Sequence, residues 1–212
     1  MSYYRYIDNG EGPTKLFIGG LHGNEGQTAL KFLKQLKSSD FSKGQIYIYN
    51  FDKTEYITTL DEKYYQSEIG ETVLDLITTI KPDFYIELHC YNIKNYKKLT
   101  SDGRLEMQGV PPLINFGDYV LVSSASPLIR SKYFKPETIC KNLEFPCIEK
   151  LDCSVDFDFD KSFSRYLEVL KILASVNSRK EYERWIEKKY PRQVKMAVSQ
   201  VRTFFRNKFS PF

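Results

Sequence analysis

The chain has 212 residues, 42% hydrophobic and 27% charged, a balance that fits one folded domain of generous size and excludes a disordered or fibrous chain. Its start, Met1-Ser2-Tyr3-Tyr4-Arg5-Tyr6, lacks the apolar core of a secretory signal, and no stretch approaches the roughly 20 apolar residues of a membrane helix, so a cytoplasmic protein with no transmembrane segment is expected. The net charge of +4 is uneven: residues 178–212 hold ten basic and three acidic residues, a net +7, which leaves −3 on residues 1–177.

In chain order, Tyr3 to Ile7 reads as an edge strand, followed by the turn-rich Asp8-Asn9-Gly10-Glu11-Gly12-Pro13. Lys15 to Gly19 is a short apolar strand. Thr28 to Leu36 has apolar residues at helical spacing, and Gln45 to Phe51 alternates as a strand does. Asp52 to Gln66 has no clear period and reads as a long loop, a kind of segment that often carries function. Glu68 to Ile80 is a helix with Ile69, Val73, Leu74, Ile77 and Ile80 on one face, stopped by Lys81-Pro82, and Phe84 to Leu88 is the next strand. Tyr91 to Pro112 is irregular. Tyr119 to Ser123 and Phe145 to Glu149 are short strand candidates, and helices are expected at Phe163–Val176, Arg179–Lys189 and Val194–Asn207. Strands alternating with helices predict an α/β fold: a mixed, largely parallel sheet flanked by helices, with C-terminal helices. Residues 1–177 form the α/β domain in this reading, and residues 178–212 a basic helical extension packed on it.

The chain's two histidines both follow strands. His22 stands in Gly19-Gly20-Leu21-His22-Gly23-Asn24-Glu25, and His89 closes Phe84-Tyr85-Ile86-Glu87-Leu88. Sites in open parallel sheets gather beyond the carboxyl ends of strands. In His22-x-x-Glu25 the imidazole and carboxylate share one face of a turn entering a helix, and the glycines let the backbone bend sharply. Two imidazoles and a carboxylate are a donor set that catalytic zinc accepts while keeping a further position open. The bland readings are a histidine hydrogen-bonded at a strand end and a Glu25 that only offsets the dipole of a helix N-terminus.

The Gly19–Glu25 string resembles the first zinc motif of the succinylglutamate desuccinylase and aspartoacylase group of the zinc carboxypeptidase superfamily, and Ile86-Glu87-Leu88-His89 resembles its second motif. The likeness spans roughly residues 14–150 and suggests an archaeal branch of that superfamily. It implies Zn2+ held by His22, Glu25 and His89, with Glu87 behind a ligating histidine and fixing its tautomer. It also implies a glutamate general base on a late strand, for which Glu149 is the candidate and Glu144 the runner-up. The activity implied is hydrolysis of an amide-type C–N bond in a small-molecule or peptide substrate. Two departures stand out. No arginine occurs in residues 26–88, where the family carries its clamp for a substrate carboxylate, and the helical C-terminus differs from the family's C-terminal β-domain. Lys53, Lys63, Arg104 and Arg130 are the cations left to consider, and the substrate-binding residues are unassigned.

The alternative reading is a non-catalytic protein of the same fold, metal-free or zinc-binding, that acts through its basic C-terminal helices on nucleic acid or an anionic surface. Val194, Val198, Val201 and Phe205 recur at spacings of a helix packed on a body, which favours ordinary surface helices over such a contact. The four cysteines, Cys90, Cys140, Cys147 and Cys153, have neither an export signal nor paired short spacings, so free and mostly buried thiols are expected.

Overall fold

The computed structural model describes residues 3–150 and 156–204. Its strands are β1 (Tyr3–Asp8), β2 (Thr14–Gly19), β3 (Gln45–Asn50), β4 (Phe84–Tyr91), β5 (Ile114–Asn115), β6 (Leu121–Ser123) and β7 (Ile139–Pro146). The helices are α1 (Glu25–Leu33), α2 (Glu68–Ile80), α3 (Tyr96–Thr100), α4 (Arg104–Gln108), α5 (Pro127–Tyr133), α6 (Phe159–Ser175), α7 (Arg179–Lys189) and α8 (Pro191–Phe204). All the described strands join one sheet in the order β1-β3-β2-β4-β7-β6-β5. The centre, β3-β2-β4-β7, is parallel; β1 pairs antiparallel with β3 on one flank, and on the other β6 runs antiparallel to β7 and β5 antiparallel to β6. The mixed, largely parallel α/β sheet expected from the sequence is present.

Successive side chains on a strand point to opposite faces, and both faces of this sheet are covered. Phe17, Ile48, Ile86 and Leu143 pack on one side with Phe32 of α1 and Leu170 of α6. Leu16, Ile18, Tyr85 and Cys140 pack on the other with Val73 and Ile77 of α2 and Ile129 of α5. Phe32 is a keystone of the first layer, with ring centroids 4.1 Å from Tyr166, 4.6 Å from Phe163 and 4.9 Å from Phe145. Its truncation to alanine is worth about 3–5 kcal/mol on that packing. Tyr182 and Ile186 of α7 are buried in the same layer, so the C-terminal segment packs on the body through its apolar side.

Local chemistry sets the ends of these elements. The Ser67 side chain accepts the Gly70 N–H at the start of α2, and Lys81 closes that helix in the left-handed region at φ 49° before Pro82. At the end of α6, buried Lys15 reaches across from β2. Its Nζ donates to carbonyls among Leu173, Ala174 and Val176, the groups a helix C-terminus leaves unpaired.

Several expectations need correction. β4 runs on to Tyr91, so His89 and Cys90 lie inside the strand rather than beyond it. The late strand is Ile139–Pro146, not Phe145–Glu149, and Glu149 sits in a following 3-10 turn at Ile148–Lys150. Lys141, Asn142 and Glu144 interrupt its apolar pattern, which hid a central strand. Cys90 and Cys147 are not free thiols but form a disulfide, with Cα atoms 4.9 Å apart. Parallel pairing of β4 with β7 brings the two together: Cys90 lies opposite Phe145, and Cys147 N–H donates to the Tyr91 carbonyl at 2.9 Å. Cys140 is free and buried as expected. Cys153 and the tail from Phe205 onward, with Arg206 and Lys208, lie outside the described residues.

Candidate metal centre

β2 and β4 pair in register, with Ile18 opposite Glu87 and Gly19 opposite Leu88, so the two histidine motifs leave the sheet side by side. The loop after β2 then turns tightly against the exit of β3. Gly20 has φ +73°, and a Cβ there would fall 1.9 Å from the Phe51 carbonyl oxygen; one on Gly26 would fall 1.8 Å from the same atom. The loop is stitched down by Phe51 N–H donating to Gly19 O, Thr54 N–H to Gly23 O, and Asn50 Nδ2 to Gly26 O. Only glycine permits so close a backbone approach, and the result sets His22 and Glu25 beside His89.

His22, Glu25 and His89 each present a donor atom, and the three atoms lie within 4.8 Å of one another. Glu25 Oε2 is 3.0 Å from His89 Nδ1, while Oε1 accepts the Cys90 N–H at 3.3 Å. His22 Nδ1 is 3.5 Å from Glu25 Oε1 and makes no hydrogen bond among the described residues, although it is buried. The two imidazole centroids are 5.1 Å apart, and Tyr56 meets the outer face of His22 edge-on. Behind His89, Glu87 Oε2 contacts Nε2 at 3.0 Å, and Glu87 Oε1 accepts the Tyr85 hydroxyl at 2.7 Å. Glu87 thus contacts the His89 ring nitrogen opposite the one beside Glu25.

Burial lowers His22 below the usual histidine value, with Glu25 opposing. Burial acts on His89 in the same sense, but the carboxylates of Glu25 and Glu87 outweigh it and hold that imidazole well above its ordinary value. Burial pushes Glu144 up to about 7, against His89 and Arg104 and with Glu25 and Glu87 adding to the rise.

A buried imidazole nitrogen without a hydrogen bond is costly to leave unpaired. Here it points among a carboxylate and a second imidazole, and that donor set suits zinc. The residues present fit the ion.

The cluster opens on a cavity of about 700 Å3. Glu144 and Glu149 both line it, but from different positions. Glu144 is on β7 directly opposite His89, whereas Glu149 is exposed in the turn beyond the strand. Arg104 and Lys53 also line the cavity, and Lys63 does not. Arg104 donates to Gln108 Oε1 and to the Pro111 carbonyl. Arg130 is buried away from the site and bonded to the carbonyls of Lys135, Pro136 and Thr138. Sequence reasoning missed Tyr85, whose only signal was its spacing of two residues from Glu87, the period that puts both on one face of a strand. It also missed Asn142, which lines the cavity and lies opposite Glu87 in the register.

Fold and site together define an α/β protein with a three-donor candidate metal centre at the carboxyl ends of its central strands. The chain belongs to the family described as "Uncharacterized protein conserved in archaea (DUF2119)", which it matches over residues 10–206. It is 39% identical over 193 residues to "Uncharacterized protein MJ0501" of Methanocaldococcus jannaschii, covering 89% of each chain. No solved structure matches it. Among the described residues no helix is long and apolar enough to cross a membrane.

Proposed function

We propose that this protein is a zinc-dependent hydrolase of an amide-type C–N bond, related to the zinc carboxypeptidase superfamily and acting on a small molecule or peptide. The observation that carries the reading is the buried His22 Nδ1, which makes no hydrogen bond among the described residues and lies 3.5 Å from Glu25 Oε1 beside His89. When bound, zinc acts as a Lewis acid toward a carbonyl and makes water more acidic at neutral pH. His22, Glu25 and His89 would hold it. Glu87 keeps the His89 ring turned so that Nδ1 faces the cluster, and Tyr85 keeps Glu87 in place. The Cys90 N–H anchors one oxygen of Glu25, so the ligand carboxylate is oriented before any metal arrives.

Of the two glutamates nominated as general base, Glu144 has the better position. It projects from the strand opposite His89 into the cavity, while Glu149 lies beyond the strand at the exposed rim. Its task is to take a proton from the attacking water and deliver it to the leaving nitrogen, a contribution of about 10²–10⁴-fold.

Zinc per chain should be measured in protein purified without chelator, for wild type and His22→Ala. About one zinc per wild-type chain and a marked loss in the variant are expected; a wild type without zinc would sink the hydrolase reading and favour the non-catalytic alternative. Activity on a panel of amides and esters then separates the bases. Glu144→Gln should lose about 10²-fold or more, and Glu149→Gln should retain most activity; the reverse order returns the role to Glu149.

A further inference from the structure

The cavity that opens at the candidate metal centre is lined differently at its two ends. Glu144 lies opposite His89 in the sheet, and polar side chains that follow β4 in the chain, Asn92, Lys98 and Arg104, also line the cavity. Apolar lining is contributed by Ile114, Phe116 and Val122 of the β5–β6 region, Ile186 of α7, and Ala197 and Val201 of α8. Gln193 and Gln200 of α8 also line the cavity, with their amides donating to the Asn115 and Pro112 carbonyls, and so does Lys141 beside Tyr182. The C-terminal helices are strongly basic, yet Lys188, Lys189, Arg192 and Lys195 are exposed on their outer sides. Only their uncharged sides line the cavity. Fully buried Tyr182 lines it too, and its hydroxyl has no hydrogen-bond partner among the described residues.

Protein interiors normally close-pack, and unfilled apolar space costs stability. A cavity of about 700 Å3 falls within the roughly 300–1,000 Å3 of ligand pockets. An apolar arm contiguous with a polar, metal-ligating end suits a molecule that carries one polar linkage and one hydrocarbon chain.

We propose that this arm takes the alkyl chain of an N-acyl compound whose amide carbonyl lies at the His22–Glu25–His89 end. The inference rests on the hydrolase reading and deepens it by naming the substrate class. In the reaction, water adds its hydroxyl to the acyl carbon, the C–N bond breaks, and the nitrogen leaves with the remaining proton, giving a carboxylic acid and an amine. The α7–α8 pair is then a specificity element, its apolar side facing the chain of the substrate.

Trp185 is the only tryptophan, and its ring stacks at 6.3 Å from that of Tyr182 at the arm. Its fluorescence can follow binding without catalysis. Metal-free full-length protein is titrated with N-octanoylglycine and with N-acetylglycine. Saturable binding of the octanoyl compound at least ~100-fold tighter than the acetyl one is expected, since burying each methylene strengthens binding roughly fourfold. Ala197→Phe, which fills the arm from α8, should weaken octanoylglycine at least ~10-fold, and Val201→Thr, nearly isosteric but polar, should weaken it several-fold. Both variants should keep the zinc content of the wild type. Equal binding of the two compounds, or wild-type affinity for octanoylglycine in both folded variants, overturns the proposal. Because the titration needs no metal, a wild type without zinc sinks the hydrolase reading while the arm is still judged by chain-length preference.

Discussion

Breaking the Cys90–Cys147 bridge tests how the two strands beside the candidate metal centre are held. The bond spans a sequence separation of 57, and the chain-entropy relation for a loop of that length gives about 4 kcal/mol of stabilisation at 25 °C. With a denaturant dependence of about 3 kcal/mol per molar urea for a chain of this size, the unfolding midpoint should fall by about 1.4 M. The same bridge sits next to His89, and the backbone N–H of Cys90 donates to Glu25, so the perturbation should also reach the candidate ligands. Cys147→Ser is the cleaner variant because Cys147 is the partner farther from the cluster in sequence. Urea unfolding of wild type with and without a dithiol, and of Cys147→Ser, reads the first effect; zinc affinity by chelator competition reads the second, with a loss of about tenfold expected, as for other groups that orient ligands. Midpoints agreeing within ~0.2 M under all three conditions would refute the claim that the bridge constrains the chain. A shifted midpoint with unchanged zinc affinity would instead show that Glu25 is oriented without help from the bridge.

Other substitutions probe separate parts of the reasoning. Glu87→Gln and Tyr85→Phe should each lower zinc affinity by about 10–100-fold while the chain stays folded; wild-type affinity in both would mean that His89 is positioned by packing alone. Gly20→Ala should cost more than about 2 kcal/mol, because the left-handed φ and the Phe51 carbonyl both oppose a Cβ. Gly10→Ala, also left-handed but in open space, should cost only about 1 kcal/mol, and equal losses in urea midpoint would remove the steric argument. Burial pushes Lys15 down to about 7 against the pull of Glu181, and burial likewise pushes Lys141 to about 7, with Arg179 adding to the fall. An unfolded lysine titrates near ~10.4, so between these values the unfolded chain binds more protons, and stability should rise with pH by about 1.4 kcal/mol per unit for each lysine. Stability comparisons at pH 7.5 and 9.5 should show the rise, and Lys15→Met should remove about half of it; an undiminished slope would exclude Lys15 as a source.

The parts of this structure that were legible in the sequence are those where one physical demand dominates. Helix α2 was readable to the residue because its apolar spacing and Pro82 stop agree, and the structure adds the Ser67 cap. His22, Glu25 and His89 could be paired because a strand, a glycine turn and a helix start leave the intervening side chains little freedom. β7 was mostly illegible, since Lys141, Asn142 and Glu144 are polar residues in a central strand, kept there by the cavity on one side and by Tyr182 on the other. The disulfide was hidden for a different reason: it depends on which strands are neighbours, and sequence spacing carries no trace of that. The same ignorance of strand order left the general base open between Glu144 and Glu149, which are separated by the end of β7.

Glu25 and His89 are 64 residues apart in the chain, yet their side chains touch. At roughly 5–20 residues per second of synthesis, ~3–13 s pass between the making of one residue and the other. Through that interval the nascent chain carries two of the donors with nowhere to converge, because the place where they meet exists only once β4 lies against β2. On the zinc reading, an ion arriving early would find no complete set of donors. Occupancy of the centre would then report that the middle of the sheet has been built, making the ion a marker of completed tertiary structure.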